Sequence, residues 1–83
     1  MNDRIRRFLD EHGRLQVPAD SLAETQDLYA AGLTSFAAVQ LMLALEEGFD
    51  VEFPEHMLNR RSFSSVKSIA ECLRELAPAS VTQ

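Results

Sequence analysis

Few residues in this chain could do chemistry, and their surroundings set most of them aside. Ser35 begins the most regular helical run of the sequence, but neither His12 nor His56 lies in a catalytic motif, and no glycine-rich elbow surrounds the serine. A serine nucleophile needs a positioned base and oxyanion donors, and neither has a sequence signature here. Cys72 is the single cysteine, too few for a disulfide framework or a multi-cysteine metal site. On a helical stretch it reads as a small buried residue. The acids of Asp50-Val51-Glu52-Phe53-Pro54-Glu55 lack calcium-loop spacing. No catalytic residue, no metal site and no enzymatic activity are therefore expected. What Ser35 can do is carry a group, because a phosphate ester at a helix start meets free amide N–H groups and the positive end of the helix dipole. Taken alone, a serine at a helix start is most often a simple cap and nothing more.

The elements that must position Ser35 follow from periodicity and punctuation. Ile5, Phe8 and Leu9 predict a first helix from Asp3, as N-cap, to a stop at Gly13. Residues 14–34 contain Pro18 and Gly32 and no sustained period. A turn of helix fits Ser21–Glu24, and a loop of this length must either pack as an ordered loop or signal a misread element. The second helix runs from Ser35 to Glu47, stopped by Gly48. Pro54 suits the first turn of a short third helix ending at Leu58. Ser64 reads as the N-cap of a fourth helix over Ser65–Leu76, with the stripe Val66, Ile69, Ala70, Leu73 and Leu76. The expected fold is all-α, a small antiparallel four-helix bundle of three main helices and one short one, with a long loop between helices one and two. Residues 1–77 form the domain and residues 78–83 a flexible tail.

The second helix is apolar on more than one side. Ala38, Leu41, Met42 and Leu45 share a line that Phe49 continues, and this line is assigned to the core. Phe36, Val39 and Leu43 form a second line, extended by Glu46 and Glu47 and rimmed by Gln40. A helix in a domain this small is hardly buried all round, so the second line reads as an apolar strip with a polar rim, the composition of an interaction surface. Phe36 folding back onto the long loop as core is the competing reading, and spacing leaves both open.

Composition narrows the function classes. Eighty-three residues, 46% apolar and 25% charged, make one ordinary folded domain. No stretch approaches the roughly 18 apolar residues of a membrane span, and the N-terminus carries charge where a signal peptide has an apolar run. A cytoplasmic, monomeric protein is expected. The net charge of −5 is unevenly spread: residues 15–58 hold eight acids and no Lys or Arg. Such a block argues against a nucleic-acid partner. It suits partners with basic surfaces, or simply aids solubility.

At this point the chain resembles a known family. Asp27-Leu28-Tyr29-Ala30-Ala31-Gly32-Leu33-Thr34-Ser35-Phe36, then Val39-Gln40-Leu41-Met42-Leu43-Ala44-Leu45-Glu46-Glu47-Gly48-Phe49-Asp50-Val51-Glu52-Phe53-Pro54, is similar to the acyl carrier proteins. Ser64-Ser65-Val66-Lys67-Ser68-Ile69-Ala70 looks like that family's fourth-helix start. The resemblance implies a 4'-phosphopantetheine arm on Ser35, installed from coenzyme A by a phosphopantetheinyl transferase with Mg²⁺. It also implies a recognition surface of Thr34, Phe36, Val39, Gln40, Leu43, Glu46 and Glu47. Thr34 and Phe36 replace the usual Asp and Leu around the serine, Gln40 replaces an acid, and Arg60-Arg61 bring positive charge to a commonly acidic place. These departures point away from housekeeping fatty acid synthesis. The Leu-Thr-Ser-Phe pattern in a short chain looks like the bacterial aminoacyl carrier proteins, loaded by ATP-dependent ligases related to seryl-tRNA synthetases. That subgroup implies an aminoacyl thioester passed to a downstream acceptor enzyme. The alternatives are a carrier of a specialised fatty acid, polyketide or nonribosomal peptide pathway and, from another class, an unmodified helical interaction module.

Overall fold

The structure, a computed structural model, describes residues 2–76. These form three α-helices linked by single turns of tighter or wider helix, with no strand among the described residues. The all-helical class agrees with the periodicity, while several boundaries differ for identifiable reasons. The tail expected at 78–83 lies outside the described residues.

Helix α1 spans Asn2–Phe8 and continues as one π-helical turn over Leu9–Gly13. Asp3 sits inside its first turn, so it is an acid at the positive end of the helix and not the expected cap. The helical path ends in Arg14, which adopts the left-handed conformation (φ 53°) that Gly13 was expected to supply. Gly13 is instead buried, with room for a Cβ limited by the Leu9 side chain at 3.3 Å.

Helix α2 spans Ser35–Phe49 and runs past the expected last residue, Glu47, through the expected stop at Gly48. Gly48 is helical, and the ring of Phe8 occupies the space where its Cβ would be. Asp50 ends the helix in the left-handed conformation (φ 55°), which Asp tolerates better than most residues. Arg4 serves this end: its Nη2 donates to the Gly48 carbonyl at 2.9 Å, and its guanidinium lies 4.2 Å from the centre of the Phe49 ring. A cation at the last carbonyls complements the helix dipole. Helix α3 spans Val66–Leu76 and is capped one residue later than expected: Ser65 Oγ, not Ser64, accepts from the Ser68 amide at 3.1 Å. The expected short third helix is smaller than its sequence suggests. It is a single 3₁₀ turn over Glu55–Met57 preceded by an extended Pro54. A second 3₁₀ turn, Arg60–Phe63, follows it with Asn59 as cap. A segment of this length between two bends cannot complete an α-helical hydrogen-bond ladder.

The core joins these elements. Leu41 and Leu45 from α2, Ile5 and Leu9 from the first segment, and Ile69 and Leu73 from α3 are fully buried. Each such side chain contributes about 1.5–3 kcal/mol. Met42, assigned to the core line, is only partly buried, and Ala37 takes an inward position instead. The fourth-helix stripe holds, with Val66, Ile69, Ala70 and Leu73 buried and Leu76 at its margin.

The long connection from 14 to 34 is ordered by specific bonds, and the turn expected at Ser21–Glu24 falls at Ala19–Ser21. Arg6 Nη1 donates to the carbonyls of Ala19 and Leu22 at 2.7 and 2.6 Å. Asp10 accepts from the Ala19 amide at 2.9 Å. Further on, the Leu28 amide donates to Ser64 O at 2.7 Å, and the Lys67 amide at the start of α3 donates to Glu24 O at 2.8 Å. Ala19, Leu22, Leu28 and Leu33 fill the core beneath. The loop is therefore a structural layer that delivers the chain to Ser35 at a fixed angle.

Gly32 sets the last bend before that delivery. Its φ of 115° is a conformation side-chain-bearing residues rarely adopt, and a Cβ there would stand 3.1 Å from Gln16 Cγ and 3.3 Å from the Gln16 amide nitrogen. Gly32→Ala is expected to cost about 1–3 kcal/mol, read as a lower midpoint in thermal or urea unfolding. An unchanged midpoint would show that the bend relaxes freely.

Candidate functional site

Ser35 is the first residue of α2, and the residue before it performs the capping. Thr34 is extended (φ −95°, ψ 164°), and its Oγ1 accepts from the Ala37 amide at 3.0 Å. The Ser35 side chain is exposed, and its hydroxyl makes no hydrogen bond to another described residue. The reading of Ser35 as a cap is thereby corrected. Its oxygen is not consumed by the fold and faces outward beside the open amides of the helix start. A phosphate ester there would be well placed electrostatically.

Phe36, Val39 and Leu43 follow on the exposed side of α2, with 66%, 52% and 52% of their surfaces accessible. Phe36 does not fold back onto the loop. Three large apolar side chains on successive turns, beginning one residue after the free hydroxyl, form a contiguous surface that intramolecular packing does not explain. Gln40 and Glu47 lie toward α1, where with Leu43 they border a shallow depression of about 420 Å³ against Phe8 and His12. Glu46 departs from the sequence reading. Its Oε2 accepts from the Phe53 amide at 2.8 Å, so this acid anchors the chain after α2 and is half-buried. Glu47 is the exposed acid of the pair.

On the other side of the strip, Ser35 stands on the wall of a largely apolar cleft of about 370 Å³. Val39 and Met42 of α2 form this wall, and Tyr29, Arg60 and Phe63 face them. Leu58, 49% accessible, is part of the lining. The guanidinium of Arg60 lies over the Tyr29 ring, 4.0 Å from its centre. Burial pushes the Tyr29 hydroxyl up, Arg60 opposes this, and Asp27 adds to it. The sequence drew attention to Arg60 as a cation in an unusual place but gave no means of placing it opposite Ser35. Tyr29 had no period or motif to mark it as lining.

The remaining candidates stay unassembled. His12 stacks on Phe8 at 6.2 Å and lies 3.7 Å from Glu11, while His56 is exposed on a 3₁₀ turn. Cys72, expected to be a small buried residue, is partly buried on α3 and packs against the core. Burial pushes its thiol up, Ser62 opposes this, and Glu75 and Glu71 add to it, so the thiolate is disfavoured. Among the described residues no group of His, Cys, Asp and Glu could hold a metal ion, and no helix is long and apolar enough to cross a membrane.

The site thus combines an all-helical scaffold, an exposed serine hydroxyl at a helix start and an uncovered apolar helix face. The family model described as "Phosphopantetheine attachment site" matches residues 12–73, and the chain belongs to this family. It is 54% identical over 74 residues, 89% of both chains, to the aminoacyl carrier protein of Agrobacterium fabrum. Its fold matches with a TM-score of 0.87 a crystal structure of an engineered Bradyrhizobium japonicum glycine:[carrier protein] ligase complexed with a carrier protein from Agrobacterium tumefaciens and AMP; the matched chain is 54% identical, with 89% of this chain and 99% of that one covered. A second match, TM-score 0.73 at 28% identity over 86% of this chain and 95% of the other, is a B. japonicum glycine:[carrier protein] ligase complexed with glycylated carrier protein. The chain is thus a homologue of aminoacyl carrier proteins. Its family is one of carriers, not catalysts, that hold phosphopantetheine covalently on a serine.

Proposed function

We propose that Ser35 is the serine that carries the 4'-phosphopantetheine arm, and that the domain uses it to hold an aminoacyl group, glycine foremost. The observation that carries this reading is the division of labour at the start of α2: Thr34 satisfies the helix amide, and the neighbouring Ser35 hydroxyl is left exposed. The residues present fit the group, since the hydroxyl opens onto solvent at a helix start and borders a cleft. When bound, the arm supplies a terminal thiol that holds a carboxylic acid as a thioester. Everything else is presentation by the protein: Thr34 fixes the helix start, and Phe36, Val39 and Leu43 offer apolar anchors. Gln40 and Glu47 supply the polar rim, and Glu46 contributes the carboxylate oxygen that Phe53 does not use.

The partner set of this reading is a phosphopantetheinyl transferase using Mg²⁺, an ATP-dependent aminoacyl:carrier protein ligase of the kind found with the structural neighbours, and a downstream acceptor enzyme. The reading places the carrier in the cytoplasm as a monomer and assigns residues 1–77 to the carrier domain. It treats the short turns after α2 as the reduced third element of an antiparallel four-helix bundle. Incubating the arm-bearing protein with glycine, ATP and such a ligase should give a glycyl adduct by intact-mass analysis, removed by hydroxylamine as thioesters are. Failure with every amino acid tested, together with loading by an acyl ligase, would replace the aminoacyl cargo with that of a specialised acyl pathway.

A further inference from the structure

We propose that Arg60 is a positioning residue for the arm: its guanidinium takes the phosphodiester that joins the arm to Ser35 and holds the first part of the arm in the cleft between α2 and the turn at Arg60–Phe63. The proposal rests on Ser35 as the attachment point. Three observations at the cleft carry it. Arg60 and Ser35 line the same cleft, on the turn and the helix that face each other across it. Among the described residues the Arg60 guanidinium forms no ion pair and no hydrogen bond, and it lies over the face of the Tyr29 ring at 4.0 Å. Stacking on an aromatic face leaves the edge of the guanidinium, where its N–H donors lie, free to point into the cleft. Finally, residues 15–58 carry eight acids and no Lys or Arg, so the cation reaching this side of Ser35 comes from beyond that block.

The charge complement is direct. A phosphodiester is a monoanion with two unbridged oxygens, the arrangement a guanidinium edge binds with two parallel hydrogen bonds. The helix start offers amides and dipole from one side, and Arg60 closes the other. Beyond the phosphate the cleft is apolar, with Val39, Met42 and Phe63 able to cover an uncharged, branched segment of the arm. Asp27 meets this arrangement through Tyr29: its Oδ1 accepts from the Tyr29 amide at 3.0 Å and so fixes the backbone that carries the ring.

The test compares apo and arm-bearing protein by NMR and thermal melting, with intact mass confirming attachment in each sample. On arm attachment, the Arg60 Nε–Hε resonance and the Tyr29 ring resonances should shift, and the melting temperature should rise by a few degrees. Arg60→Gln should accept the arm yet lose both the Tyr29 shift and the rise. Arg60→Lys, which keeps the charge without the fork, should retain part of the rise, and that part should fade at high salt. An attached arm that leaves the Arg60 and Tyr29 resonances and the melting temperature unmoved overturns the proposal while leaving Ser35 as the attachment point. A wild-type chain that accepts no arm from any transferase overturns both.

Discussion

Ser35→Ala is expected to abolish attachment of the phosphopantetheine arm and to leave the fold as stable as before, within about 0.5 kcal/mol. The stability half of this expectation follows from the cap: the hydroxyl at 35 makes no bond among the described residues, and alanine is a strong helix former at an exposed first-turn position. The informative contrast is Thr34→Ala, one residue away. That change removes the oxygen accepting from the Ala37 amide and costs about 1 kcal/mol, but it keeps the nucleophilic hydroxyl, so the arm still attaches. Intact mass after incubation with coenzyme A and a transferase reads the first property, and unfolding curves read the second. An arm found on the Ser35→Ala protein would move the attachment point to another serine. A large loss of stability in that variant would mean that its hydroxyl has a structural role.

Leu43→Glu has the second large expected effect. Leu43 is half exposed at the end of the strip away from Ser35, about two turns along the helix, and is not one of the buried core residues. Placing a charge there should weaken binding to an aminoacyl:carrier protein ligase by about 2 kcal/mol, or roughly 30-fold in Kd. The melting temperature should stay unchanged, since surface substitutions away from caps and core act weakly. Calorimetry of the arm-bearing protein against the ligase checks this, and unchanged affinity would remove the strip from the docking surface. The acids need different treatment. Glu47→Gln probes steering, with its effect on the association rate shrinking as salt rises. Glu46→Gln does not isolate binding, because Oε2 of Glu46 also holds the Phe53 amide.

What the sequence determined is the periodic part of this protein. The spacing of Ile5 and Leu9, of Leu41 and Leu45, and of Ile69 and Leu73 named three helices and the faces they bury. The same logic, applied to the surplus of apolar residues on α2, found Phe36, Val39 and Leu43 before any contact was known. The stretch around Ser35 carried the family resemblance, which the match over residues 12–73 agrees with. These features are local: each depends on residues three or four positions apart, and a helix makes such residues neighbours by its own geometry.

Only the tertiary structure decided the features set by residues far apart in the chain. Capping moved from Ser35 to Thr34 and from Ser64 to Ser65, because adjacent hydroxyl residues are interchangeable in sequence while only one can reach the third amide of its helix. Helix α2 ran through Gly48 because the Phe8 ring, forty residues earlier, fills the space of the missing Cβ and Arg4 satisfies the last carbonyls. The loop was ordered by Arg6 and by Ser64 and Lys67 at the start of α3, none of which has a fixed spacing to it. Glu46 left the outer face for the Phe53 amide, and Arg60 lies over Tyr29 in the cleft that Ser35 also lines. A hydrogen bond or ring contact across such distances depends on where the core directs the chain, and no local pattern encodes that direction.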